Sequence, residues 1–527
     1  MKTIPGIFLC CALAAAQHQH SGGAAGEKPV ALYPGLGIWK HPIATSNPEA
    51  QKFFDQGLVL TYSFNRPEAV RSFQKALELD PKAAMAQWGL AMAWGPYINM
   101  DGDPGFDLKK SCAAAEDGLK IAANATDRAW LEAVSTRCPD FSDPSKYVAA
   151  MKALAEKFPD DPDAQTMYAE SLMVPVRWRW YDSKGTAAPG VEECEHILER
   201  VLRRFPNHPG ANHYYIHAVE SSPTPERAVP SAQRLMGIVP WAGHMVHMPG
   251  HIWLVLGEFN VAVDVNERAA QVDREFFEKT GMMGAYYALY LHNLDFIMYA
   301  RSMQGRVTDT AKAMAKLAEA GKAAAESMPE MVGAMNAVVM LTQVRNQQWD
   351  DVLKSPQPGN PQGEWVWRFT RAMALHAKGR KAEAAAEKQE FEKLGAKLDR
   401  KQYWGVNGLG EVMDLASTVL DARLESSPAK WRRAVEIQDA LVYDEPPAWY
   451  YPVRESLGAS LLLSGDAAGA EEVFREGLRR SPHNGRMLFG LLESLKAQKK
   501  SDAAAWVQRE WEAAWKGADL KLRIEDL

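Results

Sequence analysis

The sequence is poor in cysteine and lacks the features that define several protein classes. Only five cysteines occur in 527 residues, so hydrophobic burial, not a disulfide framework, must stabilise the fold. Sixty basic residues against 66 acidic ones leave no basic excess, which argues against nucleic acid as a partner. No apolar run is long enough to form a membrane span. Gly-rich phosphate loops and haem-attachment motifs are absent too, so we expect no nucleotide, flavin or haem cofactor.

The N-terminus has the pattern of an export signal. Lys2 precedes an apolar stretch, residues 4–16, that ends in small residues, as signal peptidases require. The bulky residues before Cys10 argue against lipoprotein anchoring. We therefore interpret residues 1–16 as a signal peptide and expect a flexible N-terminal tail over residues 17–40. The predicted location is outside the cytoplasm, either periplasmic or secreted.

Most of the remaining sequence has helical periodicity, and a fixed spacing recurs along it. Offsets of 12, 4, 3 and 5 residues separate Gly57, Ala69, Phe73, Ala76 and Pro81. The same offsets separate Gly458, Ala470, Phe474, Gly477 and Pro482, and Gly250, Ala262, Asn266 and Ala269 keep the first three. A small residue on the first helix lets the second helix approach, and the bulky residue fills the gap. The spacing predicts repeated helix pairs.

This spacing resembles the tetratricopeptide repeat, a helix–turn–helix unit of about 34 residues. The resemblance implies an all-α fold, a right-handed helical solenoid of stacked repeats whose first helices line a concave binding face. Nearly the whole mature chain is also similar to a group of exported bacterial repeat proteins, a likeness that implies no particular activity. The segments that carry it are residues 41–43, 48–51, 54–58, 84–86, 88–89, 213–220, 244–251, 445–447 and 449–450. We expect N-terminal repeats over residues 41–176, central repeats with an insertion over 177–304, and C-terminal repeats over 305–527.

The central repeats are rich in histidine. Two groups have the spacing of one helix face: His213, His217 and Glu220, then His244, His247 and His251. In neighbouring repeats the two stripes would face one groove and form a transition-metal site, which His292 on the next first helix would complete. Pro249 interrupts the second stripe. Either the helix kinks there, or it begins there and His244 and His247 belong to a turn.

Several functions fit this set of donors. Histidine ligands suit copper, zinc or iron, and copper is slightly favoured. One interpretation is an oxygen-using copper enzyme in which six imidazoles, including that of His292, divide three and three between two ions. Another is a hydrolytic zinc-like site with Glu220 as general base, and a third is metal storage or sensing. The residues expected to line the substrate groove are Trp178, Arg179, Trp180, Tyr214 and Trp241.

The competing interpretation is a scaffold without catalysis. In that case the concave groove binds a peptide or a protein partner, and the histidines serve as polar contacts. As an enzyme, the protein is expected to take a small molecule or a peptide in the same groove. The sequence contains no H-E-x-x-H motif, so the common metalloprotease arrangement is excluded.

Overall fold

The computed structural model describes residues 28–99 and 106–527, so the predicted signal peptide lies outside the described residues. Within them the regular secondary structure is mostly α-helical. It also includes short 3-10 helices, an isolated bridge between Tyr181 and Ala187, and a hairpin of β1 (Tyr403–Trp404) and β2 (Asn407–Gly408), in which Tyr403 pairs with Gly408. The predicted all-α fold class of paired helices is confirmed. None of the described helices is long and apolar enough to cross a membrane.

The described residues form two compact units. The first contains the residues up to Ile252 and Asp264–Asn293, and the second contains Trp253–Val263 and Leu294–Leu527. The helices of the first unit alone are α1 (Pro48–Tyr62), α2 (Arg66–Leu79), α3 (Ala84–Trp94), α4 (Leu108–Ile121), α5 (Ala125–Ser135), α6 (Ser145–Lys157), α7 (Pro162–Met173), α8 (Val191–Arg204), α9 (Pro209–Glu220), α10 (Val229–Ile238) and α11 (Gly243–His247).

Three helices contribute residues to both units: α12 (Pro249–Val255), α13 (Phe259–Thr280) and α14 (Tyr287–Met303). Those of the second unit alone are α15 (Val307–Ala324), α16 (Pro329–Arg345), α17 (Trp349–Lys354), α18 (Pro361–Ala377), α19 (Lys381–Gly395), α20 (Leu409–Glu425), α21 (Pro428–Ala440), α22 (Arg454–Leu463), α23 (Ala467–Arg480), α24 (Gly485–Ala497) and α25 (Ser501–Ala514).

Three helices, α1, α7 and α18, begin at an Asn-Pro or Asp-Pro pair. The Asn47 side chain accepts hydrogen bonds from two backbone N–H groups of α1, and Asp161 does the same for α7. The proline that follows each cap occupies the first helical position, where a missing N–H costs nothing. The breaks in the periodic pattern are therefore helix starts, and consecutive helices pack as pairs.

The units differ from the three blocks expected from the sequence. The predicted boundary near residue 177 lies inside the first unit, because α9 packs directly on α1. Gly210 meets the Tyr62 ring so closely that a Cβ there would lie 2.3 Å from it. This contact joins the repeats on both sides of the insertion at residues 177–190.

Residues 28–40 are not the flexible tail that their composition predicts. The Tyr33 hydroxyl donates to Glu68 at 2.6 Å, and the Trp39 indole donates to Asp163 at 3.1 Å. These aromatic anchors fasten the segment to α2 and α7. The small, polar composition that suggests disorder ends before them, and residues 17–27 lie outside the described part of the chain.

The predicted packing of glycine against phenylalanine is present in both terminal repeats. A Cβ at Gly57 would lie 2.6 Å from the Phe73 ring, and one at Gly89 in the next first helix would lie 2.4 Å from it. Phe474 is held in the same way, because Cβ atoms at Gly458 and Gly490 would lie 2.5 and 2.1 Å from its ring. Each phenylalanine thus occupies the space between two first helices, which sets the distance between neighbouring repeats.

The cysteines of the described residues form one disulfide. It joins Cys112 in α4 to Cys138 after α5, across a sequence separation of 26. Cys194 is a buried free thiol. The disulfide ties two neighbouring helices together and restricts the unfolded chain.

Replacing Gly57 by alanine should lower the free energy of unfolding by about 1–3 kcal/mol, because the new methyl group overlaps the Phe73 ring. Gly237 in α10 is the matched control, since nothing lies within 4 Å of a Cβ there. Gly237→Ala should be neutral or stabilise by up to about 1 kcal/mol. Urea unfolding measures both changes, and equal effects of the two substitutions would contradict the packing described.

Candidate metal centre

The first histidine stripe lies on α9, whose residues are all buried. His208 caps this helix by accepting the Ala211 N–H on Nδ1, and its Nε2 faces Asp163 at 3.2 Å. His208 is therefore a structural residue, as its isolated position before Pro209 suggests. Later turns of the same helix carry His213, His217 and Glu220 into the interior of the first unit.

Pro249 divides the second stripe between two short helices. His244 and His247 lie on α11, His251 lies on α12, and Met248 separates them. Met248 keeps helical dihedral angles, φ −49° and ψ −38°, so the bias away from helix expected before proline is overcome here. Neither alternative holds in full, because α12 begins at Pro249 while His244 and His247 lie on a short helix of their own, and the three side chains still converge.

The six histidines form two triads. The first consists of His213, His217 and His244, and the second of His247, His251 and His292. In each triad, one ring nitrogen of each residue lies within 4.8 Å of the others. His292 on α14 completes the second triad from a third repeat. Each triad can therefore hold a metal ion.

The two triads are direct neighbours. The His217 and His251 ring centroids are 5.5 Å apart, and those of His244 and His247 are 5.7 Å apart. His213, His217, His244, His247 and His251 are at most 3% exposed, and His292 is half-buried. The cluster is thus interior, not spread over an open groove surface, because α1 and the segment before α8 cover α9.

In two of the rings, the hydrogen bond at Nδ1 determines which nitrogen carries the proton. His213 Nδ1 lies 2.6 Å from the Tyr62 carbonyl oxygen, and His247 Nδ1 lies 2.6 Å from Asn266 Oδ1. Both partners are acceptors, so each Nδ1 must donate. A neutral imidazole has only one N–H, and Nε2 is left with a lone pair.

Glu220 orients one histidine of each triad. Its Oε1 lies 3.0 Å from His217 Nδ1, and its Oε2 lies 2.7 Å from His251 Nδ1. A buried carboxylate that accepts N–H bonds from metal-binding histidines holds the rings in place and makes Nε2 a better donor to a metal. Both carboxylate oxygens therefore orient histidine rings, one in each triad.

The Nε2 atoms of His213, His217, His247 and His251 consequently carry lone pairs, whereas His244 Nδ1 is buried without an acceptor that would fix its proton there. His247 Nε2 and His251 Nε2 are 2.7 Å apart, and His213 Nε2 and His244 Nε2 are 3.2 Å apart. Two nitrogens bound to one tetrahedral ion at ~2.0–2.1 Å would be about 3.3 Å apart. His217 Nε2 is buried without a hydrogen-bond partner. The spacing and the unpaired nitrogen are those of ligands prepared for a cation.

Burial keeps the cluster uncharged. It lowers the pKa of His217 to about 3 and that of His247 to about 4, and it also lowers the pKa values of His213, His244, His251 and His292. The imidazoles are therefore neutral near pH 7, which is the form that binds metals.

Three of the five predicted groove residues lie near the first triad. The Tyr214 ring is 5.4 Å from His213, the Trp180 ring is 5.9 Å from His217, and the half-buried Trp178 ring is 6.5 Å from His217. Arg179 lies between the two tryptophans in sequence and is exposed.

Trp241 does not belong to this group. It stacks on Tyr33 with ring centroids 4.5 Å apart and contacts Phe276, because the segment before α1 packs over it. Its proximity to the histidines in sequence is misleading, and its role is to anchor residues 28–40.

Sequence reasoning misses three residues of the site. Tyr62 acts through its backbone carbonyl, which no residue pattern reveals. Asn266 occupies the repeat position that Phe73 and Phe474 fill elsewhere, so a polar residue at a packing position was the available signal. The Phe64 ring contacts all three histidines of the first triad.

A further group, His41, Asp161 and Asp163, also has ligand-like spacing. However, Asp163 already accepts hydrogen bonds from the Tyr62 hydroxyl, at 2.6 Å, and from the Trp39 indole. His41 Nδ1 lies 3.0 Å from the same carboxylate. These bonds use the oxygens of Asp163, and the group fastens the N-terminal segment.

Comparison with known families agrees with the fold. Residues 54–94 and 456–519 match the tetratricopeptide repeat model, so each unit contains a segment that is similar to this repeat. Repeats of this kind form helical scaffolds with extended binding surfaces. No curated protein sequence matches the chain.

Solved structures with a similar arrangement have low sequence identity. The human IFIT1 dimer with m7Gppp-AAAA has 12% identity and a TM-score of 0.33, covering 90% of this chain and 92% of that chain. The APC/C hetero-tetramer Cut9-Hcn1 has 12% identity and a TM-score of 0.33, and the match covers 86% of this chain and 78% of that chain. Yeast Tom70 has 13% identity and a TM-score of 0.29, and the match covers 88% of this chain and 90% of that chain. None of these matches bears on the histidine cluster.

Acid should destabilise the chelator-treated protein from about pH 6.5 downward. The unfolded histidines titrate near pH 6.5, whereas the folded ones remain neutral, so only the unfolded chain gains protons. Below that pH, each neutral buried histidine lowers the free energy of unfolding by about 1.4 kcal/mol per pH unit. Urea unfolding between pH 8 and pH 5 measures the slope.

His247→Gln should reduce the slope of the unfolding free energy against pH by about 1.4 kcal/mol per pH unit, because the unfolded variant takes up one proton fewer. His196→Gln, at an exposed position on α8, is the control and should leave the slope as it is. A slope that is the same in wild type and His247→Gln would show that His247 is not held neutral.

Proposed function

We propose that this chain of tetratricopeptide repeats carries a pair of copper ions that react with dioxygen. The observation that carries the proposal is the division of six converging imidazoles into two neighbouring triads. All the nitrogen donors are neutral histidines, a set that suits copper. A reduced copper pair supplies two electrons to one dioxygen molecule, and the buried site keeps other reactants out.

The residues of this chain have distinct tasks in the proposed site. His213, His217 and His244 bind the first ion through Nε2, and the second triad binds the other. Glu220 links the two halves, because its oxygens accept one N–H from each triad. We infer that Glu220 positions ligands and is not itself the general base, which makes the hydrolytic zinc-like alternative the weaker one.

Metal analysis tests the proposal directly. The full chain, purified without a histidine tag, should bind about two copper ions, and His217→Ala/His247→Ala should lose them because each triad loses a ligand. Glu220→Gln should weaken copper binding by about 10–100-fold, since its amide group cannot accept both N–H bonds. Glu226→Gln, an exposed carboxylate, is the control. Elemental analysis and competition with a copper chelator measure these changes.

Oxygen consumption tests the chemistry. The copper(I) protein should consume one dioxygen for every two copper ions, and the oxidised protein should show less copper EPR signal than its copper content, because neighbouring Cu(II) ions couple. Zinc at both sites with no oxygen uptake would refute the oxygen chemistry. Metal-free, folded protein that binds a peptide or protein partner fully would instead favour the scaffold.

We also propose that the protein is exported. The leader at residues 1–16 and the Cys112–Cys138 disulfide support this, because such bonds persist in oxidising compartments. In a Gram-negative host the full chain should reach the periplasm with a mature start near Gln17, measured by mass spectrometry of the purified protein. Leu9→Arg should block processing, since it interrupts the apolar stretch. Unprocessed cytoplasmic chain with reduced cysteines would contradict export.

A further inference from the structure

The turn after α1 holds a buried phenylalanine in a backbone conformation that favours glycine. Phe64 has φ 56° and is 4% exposed. Its N–H donates to the Thr61 carbonyl, and the Asn65 N–H donates to the Leu60 carbonyl, a pattern that ends helices with a left-handed residue. The ordinary residue for this position is glycine, because it has no Cβ to clash.

Other repeats of the same chain show what this turn usually carries. The corresponding left-handed position is glycine in four of them, at Gly257, Gly305, Gly379 and Gly465. Gln347 and Lys499 also occupy it, but the first is only half-buried and the second is exposed. A side chain is therefore tolerated there at a cost of about 1–3 kcal/mol. Phe64 differs from Gln347 and Lys499 because its side chain is a buried aromatic ring.

The Phe64 ring lies against the first triad. Its centroid is 4.5 Å from that of His213, 5.0 Å from that of His244 and 6.0 Å from that of His217. The ring is nearly parallel to those of His217 and His244, with interplanar angles of 18° and 29°. A ring in contact with all three histidines covers one side of the triad, where a large ligand of the metal would need space.

Neighbouring aromatic rings hold Phe64 in this place. Tyr97 packs against it at 4.8 Å and Tyr214 at 6.2 Å, measured between ring centroids. Turning the Phe64 ring towards Tyr97 or Tyr214 would therefore displace that tyrosine. The strained turn and the packed ring act together to keep an apolar surface over the three histidines.

We propose that Phe64 covers the first triad and limits the ligands of its metal to molecules of two or three atoms. This inference rests on the proposed metal pair. Dioxygen and azide are small enough to pass beside the ring, whereas a ligand with an aromatic ring of its own needs the volume that Phe64 occupies. Phe64 is thus a specificity-determining residue that touches the metal ligands and takes no part in electron transfer.

Two substitutions test the cover. Phe64→Gly removes the ring and relieves the backbone, as in the four glycine turns, so the variant should fold. Phe64→Leu keeps a smaller side chain at the same backbone. Phe54→Leu is the control. Phe54 is a buried phenylalanine of α1, and its ring contacts the rings of His41 and Phe73. Circular dichroism and copper content are measured first for every variant.

Ligand binding to the copper form gives the first readout. Azide should bind wild type and Phe64→Gly with similar affinity, whereas imidazole should bind Phe64→Gly at least about tenfold more tightly than wild type. Phe64→Leu should be intermediate, and Phe54→Leu should match wild type. Equal imidazole affinity in wild type and Phe64→Gly would overturn the inference.

A second readout needs no metal. Diethyl pyrocarbonate modifies accessible imidazoles, and mass spectrometry locates the modified residues. In metal-free Phe64→Gly, modification of His213, His217 and His244 should be about tenfold faster than in wild type, with His247 and His251 little changed. If the wild-type protein binds no copper, the proposed function is refuted. The modification rates of the metal-free protein would still show whether Phe64 covers the first triad. Unchanged rates at the first triad would refute the role of Phe64 by itself.

Discussion

The structure depends on one constraint, which is that buried histidines must each have an acceptor for their single N–H. Leaving such a group unpaired in the interior costs about 1–3 kcal/mol. For His213, His217, His247 and His251 the chain meets the constraint at Nδ1 with a backbone carbonyl, an amide and a shared carboxylate. Since the protons of these four rings are committed on the outer side, their inner nitrogens are left bare. The character of the cluster follows from this choice of partners.

Repeat packing supplies the rigidity that this arrangement needs. Phe73 and Phe474 set the separation of helices in the outer repeats by filling the space beside glycines. In the central repeat, the same register places Asn266 beside Gly250, where a Cβ would lie 2.5 Å from the amide. A position that elsewhere contributes only packing here orients His247. The site therefore arises where a polar residue replaces the phenylalanine of the repeated spacing.

The sequence predicts the helix pairs and the histidines, because packing and helical periodicity leave repeated spacings. It predicts less well what lies outside those spacings. Trp241 is close to the histidines in the chain but packs on Tyr33, and residues 28–40 are anchored by aromatic contacts that composition does not reveal. Tyr62 contributes a main-chain atom, so its identity carries no signal. The assignment of Glu220 to an orienting role required its distances to two rings.

Tyr62 ties the histidine cluster to α1. Its carbonyl accepts the N–H of His213, 151 residues away, while its hydroxyl donates to Asp163, 101 residues away. The cluster is therefore not a portable motif. A peptide copied from residues 209–251 would keep the histidine spacing but lose the acceptor that selects the tautomer of His213, so evolution could move this site between proteins only together with the helices that surround it.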